Sequence, residues 1–179
     1  MNIFYVDHDP YVAARMMVDK HVVKMILESA QLLSTAHRIV DGVEYEGASK
    51  SGRKAKRWLL PDGREQTMYS ATHINHPSAV WCRTSIQNYS WLVEHMYGLC
   101  QEYHYRYNRQ HKVYTSGLAY DLQSPPFNLK EYDFTTPPSA MADEYIVNPI
   151  SPVENYRNYY RNGKTHLHAW TKREKPDWL

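Results

Sequence analysis

Four polar residues, His21, Lys24, Glu28 and Gln31, follow one another at spacings of three, four and three. On a helix that spacing lines them along one side. A carboxylate held beside amines and an imidazole can manage protons and stabilise a developing cation. The same Lys24 to Glu28 spacing also suits an ordinary ion pair on a solvated face, so both readings stay open. Two other clusters have the chemistry of metal ligands: Asp7-His8-Asp9, and His73 with His76. Histidines three residues apart, with carboxylates, can hold a divalent ion. Neither cluster has the spacing of a closed site, however, and Asp9 and His76 each stand beside a helix start. No metal and no cofactor is therefore expected. The sequence has no Gly-rich phosphate loop, no serine elbow and no paired-cysteine zinc motif.

The elements that must position these residues are mostly helices. Asp9-Pro10 is a helix start, because Asp caps free N–H groups and Pro is favoured at the first helical position. The pattern predicts one helix from Pro10 to about Ile39. Its apolar stripe is Val18, Val22, Met25, Ile26, Ser29, Leu32, Leu33 and Ala36. A second long helix is predicted from Asn75-His76-Pro77 to about Tyr107, with Val80, Ile86, Tyr89, Leu92, Val93, Met96, Leu99, Cys100 and Tyr103 on its stripe. Both faces are large enough to pack together. Between them, residues 42–74 form a Gly-containing, basic insertion. Lys56–Leu60 and Glu65–Tyr69 there suggest a small hairpin about the turn Pro61-Asp62-Gly63-Arg64. From Asn108 to Asn148 prolines punctuate the chain, which is expected to wrap the outside irregularly. Ser151-Pro152-Val153-Glu154 is a capping box opening a shorter helix through Tyr160. The expected fold class is all-α: one domain over 1–179, with two long packed helices, a shorter C-terminal helix and a possible small β-hairpin.

Composition narrows the partners. The 179 residues can bury a core without staples. Net charge is only +2, but between Lys50 and Arg64 there are six cations (Lys50, Arg53, Lys54, Lys56, Arg57, Arg64) and one acid, Asp62. Such a local patch suits phosphates more than the total charge does. Sixteen Tyr and five Trp against three Phe suit either a half-wet core or stacking on bases. The two cysteines, Cys82 and Cys100, lie 18 residues apart on one predicted helix, so that helix cannot bridge them. A reducing, cytoplasmic setting is expected. No apolar run is long enough to span a bilayer, and the opening MNIFYVDHDP does not read as a signal peptide, so no membrane partner is expected.

Three segments in order carry a resemblance. Asp19-Lys20-His21 is followed by Glu28 seven residues after the histidine. Asn75-His76-Pro77 opens the second long helix. Tyr156-Arg157-Asn158-Tyr159-Tyr160-Arg161-Asn162-Gly163-Lys164 is a Tyr-rich basic run near the C-terminus. Together they resemble the pyrimidine-dimer DNA glycosylases, the phage endonuclease V family, over most of the chain. The resemblance implies a helical fold and a covalent mechanism. The N-terminal α-amine attacks sugar C1′ at the lesion, the base departs as a Schiff base forms, and β-elimination cuts the strand. Carried over residue by residue, the amine belongs to Met1, or to Asn2 if Met1 is removed. The essential carboxylate is then Glu28, and His21 orients the site. Asn2 is large enough that Met1 is expected to be retained. An α-amine suits such an attack, because its ordinary pKa is about 7.7–8 against about 10.4 for lysine. At pH 7 roughly 10–15% of it is therefore already nucleophilic. The expected partner is double-stranded DNA, with no obligate protein partner. Contacts are expected from Lys20, Lys24, Gln31, His76, Tyr159, Tyr160 and Lys164, and from Arg53, Lys54, Lys56 and Arg57 on the insertion. The expected location is the cytoplasm, that of the host for a phage-encoded chain.

The sequence departs from the family's pattern in places. Arginines stand before and after the family's glutamate, where this chain has Leu27 and Gln31. The basic insertion has no counterpart. Three rival functions share the same residues. One is a non-catalytic DNA-binding protein. Another is a metal-dependent enzyme using the histidines with Asp7 and Asp9. The third is a transferase exchanging bases in phage DNA.

Overall fold

The computed structural model describes residues 1–48 and 51–179. The fold is mostly helical with one small antiparallel hairpin, so the all-α expectation is corrected to that extent. A short lead-in, Ile3 to Val6, is buried and joins the core. Asp9 then caps α1 (Pro10–Met16), accepting from the N–H groups of Tyr11 and Val12 at 2.8 and 2.9 Å. The predicted first helix is broken here: α1 ends, and α2 (Asp19–Asp41) restarts after Met17-Val18. No Gly or Pro marks the break, and Val18 supplies no side-chain cap. Tertiary partners replace the lost helical bonds. Arg106 donates to the carbonyls of Arg15 and Met17, Trp170 donates to Met16 O, and Ala169 O accepts from Asp19 N–H. All eight residues of the expected α2 stripe are buried.

The second long helix is also divided. His76 caps the short α4 (Pro77–Cys82), and Ser85 caps α5 (Ile86–Tyr107) by accepting from Asn88 N–H. Asn108 closes α5 in the left-handed region. Helices α2 and α5 pack against each other, joined inside by a 2.9 Å contact between His37 Nε2 and the Tyr89 hydroxyl. Helix α1 also packs on α5. Gly98 permits this, since a Cβ there would sit 2.9 Å from the Ala14 methyl. The buried apolar residues form one cluster running from Ile3 to Tyr160.

The hairpin lies elsewhere than expected. β1 (Val43–Ala48) pairs antiparallel with β2 (Lys54–Leu59), in the register Val43 to Leu59 and Ala48 to Lys54. Residues 64–67 form the helical turn α3 (Arg64–Thr67) instead of a strand. The Pro61–Arg64 turn is real but opens that helix: Asp62 Oδ1 accepts from Arg64 N–H. Short helices α6 (Lys112–Thr115) and α7 (Leu118–Asp121) precede the proline-rich wrap. Helix α8 (Pro152–Gly163) begins at Ser151 as expected and runs three residues past Tyr160. Only half of the capping box forms, because the Glu154 carboxylate binds Asn148 Nδ2. Among the described residues no helix is long and apolar enough to cross a membrane. Cys82 and Cys100 are free and buried.

Candidate active site

Residues from the start, the first third and the end of the chain meet in one pocket of about 350 Å³. Met1, Asn2 and Phe4 form one side. Lys20, His21, Lys24, Met25 and Glu28 of α2 form another, and Tyr159, Lys164 and Leu167 complete it. The lead-in brings the chain start onto α2 beside Glu28. Glu28 Oε2 accepts from the Asn2 main-chain N–H at 3.0 Å and lies 3.9 Å from the Met1 α-amine. Its other oxygen is 3.1 Å from Lys24 Nζ. Glu28 is thus 9% exposed, and His21 is 6% exposed. Of the two readings left open for this face, the wholly solvated one does not hold: the lead-in and α8 cover part of the face, leaving Lys24 exposed.

His21 is held on two sides. Its ring stacks on Phe4 with centroids 4.1 Å apart, and its Nδ1 lies 2.6 Å from the Tyr160 hydroxyl. That hydroxyl also approaches Met17 Sδ at 2.9 Å. A ring nitrogen is the better acceptor, so the hydroxyl proton goes to Nδ1 and the imidazole proton to Nε2. Burial lowers the His21 pKa to about 3, with Lys164, Lys24 and His166 adding positive charge nearby. The ring is therefore neutral at ordinary pH. Tyr160, expected to touch DNA, is fully buried, and its part is to hold His21.

His76 lies outside the pocket lining but within electrostatic reach of it. Its Nδ1 accepts from Ser78 N–H at 3.1 Å, which leaves Nε2 to carry the proton of the neutral ring. Its pKa is lowered, first by burial and then by the positive chain start and His73, while Glu28 pulls the other way. His76 therefore senses both the amine and the carboxylate. Helix α8 ends against the pocket because Gly163 has no side chain; a Cβ there would meet the Tyr159 ring at 2.6 Å. Lys164 Nζ then sits 4.5 Å above that ring. Tyr159 continues a ladder of rings, with Tyr145 at 4.6 Å on one side and Phe4 at 6.1 Å on the other.

The remaining expected contacts lie apart from the pocket. Gln31 is half-exposed on α2, outside the pocket lining. Arg53, Lys54, Lys56 and Arg57 sit on or beside the hairpin, which attaches near Asp41. Thirteen helical residues place that end about 20 Å from Glu28. Lys54 and Lys56 pair with Glu46 and Glu44 across the strands at 2.7 and 2.8 Å. Arg57 Nη2 donates to Ala48 O at 2.9 Å. The sixth cation of the cluster, Lys50, lies outside the described residues. Asp7 pairs with Arg157 at 3.0 Å and Asp9 is a helix cap. Among the described residues no three His, Cys, Asp or Glu side chains gather in a metal-binding group. Comparison with protein-family models, curated proteins and solved structures finds no match.

Phe4, Met25 and Leu167 line the pocket and Tyr156 holds Asn2, and none of these four is read from the sequence as a site residue. Tyr156 donates to the Asn2 side chain at 2.7 Å. It stands four before Tyr160, and that spacing places both rings on one face of α8. The signal for Phe4 is weaker: the short apolar lead-in Ile3-Phe4-Tyr5 points to an anchored chain start, but not to a ring stacked on a helix 17 residues later.

Proposed function

We propose that the chain is a DNA glycosylase with strand-cleaving lyase activity on damaged pyrimidines in duplex DNA, as the resemblance implies. One observation carries the reading: the chain-start nitrogens lie at Glu28 inside a pocket lined by Lys20, Lys24 and Lys164. An amine, a carboxylate and a set of cations are what the chemistry requires. The neutral α-amine attacks C1′, and a nitrogen–carbon bond forms. The glycosidic bond breaks and the base leaves with its electron pair, taking up a proton. Loss of a proton from the attached nitrogen and opening of the sugar ring, with O4′ protonated, give a Schiff base at C1′. Removal of a C2′ proton then expels the 3′-phosphate. Glu28 faces the attacking nitrogen and supports both the cationic sugar and the proton transfers. Neutral His21, with Nε2–H as its free donor, orients groups at the pocket without adding charge. Lys20 and Lys164 hold backbone phosphates. Tyr159 offers a ring face to an unstacked base.

Lys24 is a second candidate nucleophile, since its amine is the other nitrogen on Glu28. The test is borohydride trapping on duplexes containing an abasic site or a pyrimidine dimer, with a chelator present throughout. The proposal expects a covalent protein–DNA adduct, because hydride reduces the Schiff base to a stable amine. Binding to these duplexes without any adduct would replace it with the non-catalytic DNA-binding reading.

A further inference from the structure

The side chain of Asn2 makes four hydrogen bonds. Its Oδ1 accepts from Ile3 N–H at 2.8 Å, from Phe4 N–H at 3.2 Å and from the Tyr156 hydroxyl at 2.7 Å; its Nδ2 donates to Ala140 O at 2.7 Å. A freely hydrated terminus has no use for such a set, since each bond orders a chain end that otherwise frays. The partners come from three places: the lead-in itself, α8, and the proline-rich wrap. The Tyr156 hydroxyl also lies 3.0 Å from Pro138 O and accepts from Ala140 N–H at 3.2 Å. It is fully buried, and burial raises its pKa, so it remains a donor. The lead-in is also bent in a costly way. Phe4 has φ +49°, a left-handed conformation that a bulky residue adopts only when its surroundings impose it. The Asn2 carboxamide accepts from the N–H of that strained residue.

We propose that the Asn2 side chain and Tyr156 are positioning residues, which clamp the chain start so that the Met1 and Asn2 main-chain nitrogens face Glu28. The clamp gives the proline-rich wrap a purpose, because Pro138 and Ala140 are its anchor points. Its catalytic consequence rests on the function proposed above; the clamp itself does not.

The test therefore has one arm without DNA. 2-Pyridinecarboxaldehyde condenses with an α-amine, losing water, and closes onto the amide nitrogen of the second residue. That nitrogen is held by Glu28 here, so intact-mass spectrometry should show slow labelling of the wild type. Asn2→Leu and Tyr156→Phe should label about tenfold faster or more, because local opening then frees the terminus. Asn2→Leu has nearly the same size, keeps Met1 in place and changes only the chain end, so it carries the test if Tyr156→Phe does not fold. In the second arm, trapping on abasic duplex at saturating DNA should slow by about ten- to a hundredfold, with affinity within about twofold. Asn2→Asp keeps the Oδ1 acceptor and should recover part of the rate. Faster labelling of the variants, with no adduct from the wild type, would keep the clamp and remove the lyase reading. An adduct from the wild type, with variants that label and trap at its rates, would overturn the clamp and keep that reading.

Discussion

Where the first turns of α2 meet the end of α8, Lys20, Lys24 and Lys164 line one pocket with a single carboxylate, Glu28. At the far end of α2, the hairpin's Lys54 and Lys56 each face a carboxylate of their own, Glu46 and Glu44. The sequence run from Lys50 to Arg64 is the denser of the two in cations, yet its Lys54, Lys56 and Arg64 each pair with an acid. At the pocket, residues far apart in sequence gather three lysines and the chain-start amine with one carboxylate, which pairs with Lys24 and the amine. The hairpin's root is also tied down by structure. Arg38 is buried and donates to the carbonyls of Tyr69, Trp58 and Met68 and to the Glu65 carboxylate. Arg64 joins Asp41, Asp62 and His37, with its guanidinium 4.4 Å from the Phe127 ring. Charge density along a chain therefore says less about a binding surface than the partners that the fold supplies.

The largest effect is expected at the pocket. Glu28→Gln keeps the shape and removes the charge, and should lower the single-turnover trapping rate by about 10²–10³-fold. DNA affinity should hold within about twofold, and urea unfolding should show a loss of only about 1 kcal/mol. Near-normal turnover would break the contrast between a chemical end and a structural end. The opposite result is expected at the hairpin root. Arg38→Met should lower stability by about 2–3 kcal/mol, because it strands the carbonyls of Trp58, Met68 and Tyr69 and leaves the half-buried Glu65 carboxylate unpaired. The folded fraction should trap DNA at the wild-type rate.

The two ends should also respond together to acid. Burial lowers the pKa of His21 to about 3, of His37 to about 4, where Arg64 adds to the effect, and of His95 to about 3. In the unfolded chain the same rings titrate near 6.5. Stability is then complete above pH 6.5 and falls as pH drops toward 4, since only the unfolded chain takes up protons in that window. Each ring should cost roughly 1–2 kcal/mol by pH 5. Urea unfolding at pH 7.5, 6 and 5 measures the slope, and a flat profile would contradict three buried neutral imidazoles.

Much of this fold was legible, and the misses share a cause. Asp9-Pro10, the α2 stripe and Ser151-Pro152 are local signals, and each stands where it was read. The break at Met17-Val18 has no local signal, because Arg106, Trp170 and Ala169 satisfy its free backbone groups from far along the chain. The break before α5 was readable, since Thr84-Ser85 offers an N-cap inside the apolar pattern. In the hairpin the turn signal misled, whereas the opposed charges of Glu44 and Glu46 with Lys54 and Lys56 marked the true strands. Glu28 and Lys24 were visible as a pair. That the chain start would complete the pair came from resemblance together with the short apolar lead-in Ile3-Phe4-Tyr5, which can anchor residue 1 inside.

The smallest effect separates the two cation groups. Lys54→Ala with Lys56→Ala should change the salt slope of DNA binding by less than about one unit, because each lysine already has a carboxylate. Lys20→Ala with Lys164→Ala should flatten it by about two units. Equal slopes for the two double variants would erase the distinction.

The central claim is that a nitrogen at the chain start attacks DNA beside Glu28. The most direct measurement compares borohydride trapping by protein with a free α-amine and by protein whose α-amine is acetylated or extended by an uncleaved tag. Intact mass first establishes which residue bears the amine. The blocked protein should bind abasic duplex and form no adduct, while Lys24→Ala with a free terminus should trap normally. Normal trapping by the blocked protein, or an adduct that maps to Lys24, would contradict the account.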